Sequence, residues 1–308
     1  MNDAAVHDLA RMLRIQSLTR SFGDRRAVDA LDLEVRPGET FGFLGPNGAG
    51  KSTTMACAVG AMRPDSGTIS IGDVGPPTER AARRRIGYAP QDLAIYAELT
   101  GEENARFFGK LQGLSGKDLG ERVAGALELV GLTDRRRDAA GKYSGGMKRR
   151  LNLACALVHD PDLVFLDEPT AGVDPQSRNL LFETVERLAA DGKTVVYTTH
   201  YMEEAARLCN RVAIIDHGRL LALGTVDELI TTHGGTPVLS LACVDPPAPD
   251  SGLPAPDAAG WLRIETDEPA AELARIAATG LRYREAVVRR PDLETVFLTL
   301  TGKSLRDA

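Results

Sequence analysis

"GPNGAGKS", residues 45–52, matches the spacing G-x-x-x-x-G-K-[ST] of a phosphate-binding loop. The preceding segment, "TFGFLGP", is typical of a short apolar strand, and the following segment, "KSTTMACAVGAM", continues as a helix. Glycines let backbone N–H groups face phosphates, a lysine ammonium reaches the β- and γ-phosphates, and a serine hydroxyl ligates Mg²⁺. The loop therefore predicts nucleotide contacts from Gly45, Pro46, Asn47, Gly48, Ala49, Gly50, Lys51, Ser52 and Thr53, with Ser52 also a metal ligand.

The composition of the 308-residue chain is that of an ordinary globular protein, with 43% hydrophobic and 26% charged residues. A formal net charge of -6 argues against nucleic acid as a partner, because phosphate-backbone contacts need clustered cations. The four cysteines show no metal-ligand spacing, and no stretch approaches the roughly 20 apolar residues of a membrane span. The first residues lack the apolar core of a signal peptide. If the protein works at a membrane, we expect a partner to span it.

Two further strand ends carry chemically active side chains. "LVFLDE", residues 163–168, is an apolar strand followed by acids, a layout that places Asp167 at Mg²⁺ and Glu168 beside an attacking water. Side chains alternate along a strand, so we expect the two carboxylates to project to opposite sides. "TVVYTTH" ends in His200, which we expect to contact the γ-phosphate. Without the loop at 45–52, solvated acids and a structural histidine would be the better reading of these residues.

The order of segments predicts an α/β fold with a mostly parallel sheet covered by helices. "LRIQSLTR" and "ALDLEVRPGE" indicate an antiparallel β layer, and residues 101–131 show helical periodicity without strand runs. We predict a tail at 1–11, an ATP-binding domain at 12–230 with a helical insertion at about 92–158, and a small C-terminal α+β domain at 231–308. That last domain should hold three strands and two helices.

Residues 12–225 carry these motifs in the order found in ATP-binding subunits of ABC transporters, and the chain resembles that family. The resemblance implies that Phe22 in "SFGDRRAVD" stacks on adenine, where the family usually has tyrosine. It implies that Gln91 in "IGYAPQD" contacts Mg²⁺ and water and is a catalytic residue with Lys51, Glu168 and His200. Asp174 in "AGVD" would cross a dimer interface, although it also reads as a turn before a helix.

The segment "YSGGM", residues 143–147, matches the family's LSGGQ signature, which binds the ATP held by a second subunit. The resemblance thus assigns Ser144, Gly145 and Gly146 to the nucleotide of a partner copy. Met147 departs from the pattern, since a thioether cannot form the hydrogen bonds of the usual glutamine. A helix start at Ser-Gly-Gly is physically suited to an anion, because its free N–H groups and helix dipole attract negative charge.

The tail "PDLETVFLTLTGKSLRD" and "YSGGM" together resemble ATPases of drug and polyketide efflux that pair with separate ABC-2-type membrane subunits. The resemblance implies an ATP- and Mg²⁺-dependent hydrolase that dimerises on ATP binding. It also implies a permease partner at the cytoplasmic face of the membrane and export of a drug- or antibiotic-like molecule. An uptake system shares every catalytic motif, and only the tail argues against it. A soluble ABC ATPase is disfavoured by the single phosphate-binding loop, and a non-hydrolysing regulator by Glu168 and His200.

Overall fold

The computed structural model describes residues 11–302, so most of the predicted N-terminal tail and the last six residues lie outside the described chain. The described residues form two compact units, which divide after Val226. No helix within 11–302 combines the length and apolar character that crossing a membrane requires.

The first unit is built on a six-stranded sheet with strand order β5-β6-β7-β3-β8-β9. All neighbours in it pair in parallel except β8 and β9, which pair antiparallel. Every residue of β3, β6 and β7 is buried, as expected for strands covered on both faces. The strands are β3 (Thr40–Leu44), β5 (Ile86–Ala89), β6 (Leu163–Asp167), β7 (Thr194–Thr199), β8 (Arg211–Asp216) and β9 (Arg219–Gly224). The predicted mostly parallel sheet is confirmed.

A second, antiparallel sheet has the order β2-β1-β4 and contains β1 (Leu13–Phe22), β2 (Arg25–Val35) and β4 (Ser66–Ile71). Its apolar side chains, among them Leu13, Ile15 and Leu33, share a core with Phe41 and Phe43 of β3. The predicted antiparallel layer is therefore confirmed, and its core reaches the strand that enters the phosphate-binding loop.

Helices occupy the connections of the first unit. The insertion between β5 and β6 is helical, as predicted, and its apolar faces share a core with β6 and β7. α1 is shorter than its periodicity suggested, because it ends at Ala58 and Gly60 follows with φ +74°. The helices are α1 (Lys51–Ala58), α2 (Arg80–Arg84), α3 (Gly101–Leu111), α4 (Gly116–Leu129), α5 (Gly145–Leu157), α6 (Pro175–Ala190) and α7 (Met202–Leu208).

The second unit contains an antiparallel sheet of order β11-β10-β12. Leu239, Leu241 and Leu262 of this sheet pack with Ile276 of α9 in a small core of their own. The elements are α8 (Val226–His233), β10 (Val238–Cys243), β11 (Trp261–Glu265), α9 (Pro269–Ala278), β12 (Tyr283–Arg289) and α10 (Leu293–Thr301). After α8, the three strands and two helices are those that the sequence predicts.

Candidate nucleotide-binding site

The phosphate-binding loop joins β3 to α1, and its glycines are needed for the path of the backbone. A Cβ atom on Gly45 would lie 2.4 Å from the carbonyl oxygen of Ile215. Gly50 has φ +104°, and a Cβ there would lie 2.3 Å from the carbonyl oxygen of Ala27. Neither position accommodates a side chain, so these glycines hold the loop against its neighbours while α1 begins at Lys51. The backbone N–H groups at a helix start are suited to binding an anion.

Lys51 is buried, with its side chain directed back onto the loop. Its Nζ donates to the carbonyl oxygens of Gly45 at 2.7 Å and Pro46 at 3.0 Å, and lies 3.2 Å from Oε1 of Glu168. Burial lowers the pKa of Lys51, and the charge of Glu168 opposes that shift. The Glu168 carboxylate is therefore the counter-ion of the buried ammonium group.

Asp167 and Ser52 form a pair of oxygen ligands suited to a hard cation. Oγ of Ser52 lies 3.3 Å from Oδ1 of Asp167, and Oγ1 of Thr198 donates to the same carboxylate oxygen at 2.7 Å. Burial is the main cause that raises the pKa of Asp167, so the site disfavours its charge unless a cation is nearby. Mg²⁺ binds through one or two carboxylates together with substrate phosphates, so the pair fits this ion.

Glu168 is the centre of the cluster of predicted catalytic residues. It is 5% exposed, and its Oε2 accepts from Nε2 of Gln91 at 3.3 Å. Nδ1 of His200 lies 3.4 Å from the same oxygen, within ion-pair distance but without hydrogen-bond geometry. The fold thus brings Lys51, Gln91, Glu168 and His200 together from four segments of the chain. A buried carboxylate beside a lysine and a histidine can accept a proton from a water molecule.

The prediction that strand alternation orients the side chains of Asp167 and Glu168 is wrong. β6 ends at Asp167, and Glu168 follows with φ +44°, so strand alternation does not govern its side chain. Instead, the hydroxyl of Thr198 links the two acids, because it accepts from the Glu168 N–H at 2.9 Å and donates to Asp167. A positive φ is uncommon in residues other than glycine and costs free energy. Residues with such strained backbone are found often at functional sites.

A cleft of about 550 Å³ opens beside these groups, a volume suited to a nucleotide. Phe22, at the end of β1, is 48% exposed there, and the Arg20 guanidinium lies 5.0 Å from its ring centroid. The ring can therefore stack on a planar base. The cleft is lined by Phe22, Arg25, Ala27, Asn47, Gly48, Gly50, Lys51, Ser52, Thr53, Gln91 and Glu168.

The signature residues and Asp174 do not line this cleft. Ser144 is the N-cap of α5, with its hydroxyl accepting from the Met147 N–H at 3.2 Å. Asp174 is the N-cap of α6 and accepts from the Ser177 N–H at 3.0 Å, a bond that lowers the pKa of Asp174. Gly146 packs against the start of α6, since a Cβ on it would lie 2.1 Å from Oγ of Ser177. Ser144, Gly145 and Asp174 are exposed and form a second patch, which does not line the cleft beside the chain's own phosphate-binding loop.

Sequence reasoning missed two polar residues that organise the site, in addition to Thr198. Glu204 of α7 is 1% exposed and accepts hydroxyl hydrogen bonds of 2.8–2.9 Å from Thr170, Tyr197 and Thr199, so it ties the segment after Glu168 to the segment before His200. Arg149 of α5 donates to the carbonyl oxygen of Gln91. Neither Glu204 nor Arg149 belongs to a sequence motif, so only the fold identifies their roles.

A glycine loop at a helix start, an aspartate that fits Mg²⁺ and a second acid on the adjacent residue are typical of a P-loop nucleoside triphosphatase. The family model described as "ABC transporter" matches residues 28–171. The chain belongs to the ABC transporter family, as one of its ATP-binding proteins, and it is an ATP hydrolase.

Relatives match nearly the whole chain. The linearmycin resistance ATP-binding protein LnrL of Bacillus subtilis is 40% identical, over 96% of this chain and 100% of its own length. The Nod factor export ATP-binding protein I of Cupriavidus metallidurans is 42% identical, over 97% and 100%. A solved ATP-binding subunit of an ABC transporter superposes with a TM-score of 0.66 at 31% identity, over 72% of this chain and 93% of that one.

Proposed function

We propose that this protein hydrolyses ATP to drive export of a drug- or antibiotic-like small molecule through a separate integral membrane subunit. It would then act at the cytoplasmic face of the membrane, held there by that subunit. Two relatives that span nearly the whole chain are named for Nod factor export and for linearmycin resistance, which supports export over uptake. The tail at 291–307 and the "YSGGM" signature support the same choice.

The single observation that carries the hydrolytic part is the contact of Glu168 with Lys51, Gln91 and His200. In the proposed site, Phe22 stacks on adenine, residues 45–53 bind the phosphates, and Ser52, Asp167 and Gln91 hold Mg²⁺. Mg²⁺ supplies charge that offsets the phosphate oxygens during transfer. Glu168 accepts the proton of the attacking water, while Lys51 and His200 stabilise charge on the phosphoryl group.

We also propose that hydrolysis takes place in a dimer, with Ser144, Gly145, Gly146 and Asp174 of one copy facing the ATP of the other. Two features support this: the signature patch lies outside the chain's own cleft, and a Cβ on Gly145 would meet open space. The first turn of α5 therefore has room for a phosphate group, which its N–H groups can bind. A like ABC ATPase subunit could replace the second copy.

Glu168→Gln tests the assignment of the general base. A general base contributes about 10²–10⁴-fold to the rate, so hydrolysis should fall by that range while MgATP binding persists. The variant should accumulate as an ATP-bound dimer, detectable as an ATP-dependent shift in size-exclusion chromatography. Hydrolysis within about threefold of wild type would show that Glu168 is not the base. Loss of ATP binding would instead assign Glu168 a structural role.

A mixing experiment tests the site across the dimer. Ser144→Asp keeps a good helix N-cap but sets a negative charge where the partner's phosphates should lie, whereas the control Ser144→Thr keeps the hydroxyl. Ser144→Asp and Lys51→Ala should each abolish hydrolysis when alone. When the two variants are mixed, each heterodimer contains one complete site. The heterodimers should therefore recover up to half the hydrolysis rate of the same amount of wild-type dimer. No recovery, with heterodimers demonstrated by affinity tags, would contradict the arrangement.

A further inference from the structure

Helix α5 forms hydrogen bonds to the loop that follows β5 through two side chains spaced three residues apart. On Asn152, Oδ1 accepts from the Ala94 N–H at 3.0 Å and Nδ2 donates to the Pro90 carbonyl oxygen at 3.1 Å. On Arg149, Nη1 donates to the Gln91 carbonyl oxygen. Positions three apart share a helix face. We name residues 90–94 the Gln91 loop; its backbone is held by one helix at three points.

Gln91 is held at its side chain as well as at its backbone. Its Nε2 donates to Oε2 of Glu168 at 3.3 Å, and Oε1 of that carboxylate lies 3.2 Å from Nζ of Lys51. A glutamine side chain on an exposed loop has several rotamers, so its contact with Glu168 depends on where the backbone is fixed. The bond from Arg149 fixes the backbone of the residue whose side chain touches the base.

The charge of Arg149 is also placed toward the catalytic acids. Its side chain is half-buried, and burial lowers its pKa while the charges of Asp92, Glu168 and Asp167 oppose that shift. The basic run "KRR" at 148–150 does not act as one surface, because Arg150 is buried and donates to the Val130 carbonyl oxygen at 2.9 Å. Arg149, unlike Arg150, is directed to the loop after β5, where it donates to the Gln91 carbonyl oxygen.

We propose that Arg149 is a positioning residue, which sets Gln91 against Glu168 and links that contact to the position of α5. The inference rests on the proposed function, in which Glu168 is the base and the start of α5 meets the ATP of the second subunit. α5 begins one residue after Ser144, and Arg149 lies just over one turn further along. Because Arg149 belongs to the helix that Ser144 caps, the placement of Gln91 against Glu168 depends on the position of α5.

The test compares Arg149→Met, which keeps length and packing but removes the donors, with Arg149→Lys, which keeps a cationic donor. A misplaced catalytic group costs roughly 10–100-fold in rate, so kcat of Arg149→Met should fall by about tenfold or more. KM for ATP should change less than kcat, by about twofold at most, because residues 45–53 and Asp167 still hold MgATP when Gln91 is misplaced. Arg149→Lys should recover part of kcat. Arg106→Met, which removes a half-buried arginine bound to Glu102 in α3, is the matched control and should leave kcat unchanged.

A double-mutant cycle separates positioning from a general structural effect. If Arg149 acts through Gln91, Arg149→Met combined with Gln91→Ala should be no slower than Gln91→Ala alone. The inference is overturned if Arg149→Met keeps kcat within about twofold of wild type, if it raises KM alone, or if the two losses multiply. Normal hydrolysis by the Glu168→Gln variant would contradict the proposed function. An inactive Glu168→Gln variant together with a fully active Arg149→Met variant would contradict only the role of Arg149.

Discussion

Two adjacent glycines of the signature do different physical work. Gly146 lies against α6, so that a Cβ would come within 2.1 Å of Oγ and 2.4 Å of Cβ of Ser177. Gly145, one residue earlier, has no atom within 4 Å of the place a Cβ would occupy. The fold of a single chain therefore accounts for Gly146 but leaves the absence of a side chain at Gly145 unexplained. A partner that approaches the first turn of α5 would explain it.

These glycines give a prediction at the residue scale. Gly146→Ala should destabilise the protein by about 1–3 kcal/mol, the usual cost of overpacking, as measured by urea denaturation. Gly145→Ala should leave the free energy of unfolding unchanged or slightly increased, yet lower ATP hydrolysis in the dimer. Gly125→Ala, at an exposed interior position of α4 with open space around it, is the control: it should raise the free energy of unfolding by about 1 kcal/mol through helix propensity and leave hydrolysis unchanged. Full hydrolysis by Gly145→Ala would contradict the proposed contact across the dimer.

At the scale of elements, His159 fastens the segment after α5 to β5. Its Nε2 lies 3.0 Å from the Ile86 carbonyl oxygen, and the ring is half-buried. Burial lowers the pKa of His159, and the bond to Ile86 opposes that shift. The neutral ring is thus the form that the folded state prefers, with Nε2 donating to the carbonyl.

The pH dependence of stability follows from that preference. An unfolded histidine has a pKa of about 6.5, so below this pH the unfolded chain takes up the proton first and the free energy of unfolding falls. His159→Gln keeps a donor without a titrating ring, so it should lose less stability than wild type between pH 7.5 and 5.5. Urea denaturation at both pH values checks this. An unchanged slope in His159→Gln would show that His159 is not the group responsible.

At the scale of the whole molecule, every residue assigned to nucleotide chemistry lies in the first unit, which ends at Val226. The predicted domain boundary at 230 falls inside α8, where Leu229 is only 3% exposed. A cut at that point would divide this helix in its middle. The division of the described chain after Val226 falls at the first residue of α8 and leaves every strand of the first unit intact, because β9 is complete at Gly224.

A chain truncated after Val226 should therefore still bind MgATP. We expect its dissociation constant to lie within about threefold of that of the full-length protein, since no lining residue of the cleft is removed. Isothermal titration with ATP and Mg²⁺ measures this, with Lys51→Ala in the same truncated chain as the non-binding control. A folded truncated chain that fails to bind nucleotide would show that the second unit contributes to the site.

Much of this protein could be predicted from sequence, because the relevant physics is local. The glycine spacing at 45–52, the apolar strand before Asp167 and the helical period at 101–131 depend on residues near one another in the chain. They were sufficient for the α/β fold class and a phosphate-binding site. The family and the ATPase activity came from the resemblance of the whole ordered set of motifs to ABC transporter subunits, and the structure and the relatives confirm them. The small C-terminal α+β domain remains a prediction as a functional division, although its strands and helices form as expected.

The tertiary structure alone decided which distant residues meet. The strand order β6-β7-β3 places Thr198 between Asp167 and the phosphate-binding loop, and this order is not encoded in any local pattern. The ion pair of Lys51 with Glu168, the grip of Arg149 on Gln91 and the buried Glu204 all join segments that are separated in sequence. Glu168 shows the reason most clearly: it follows the end of β6 with a φ of +44°, so a rule based on strand period could not orient it.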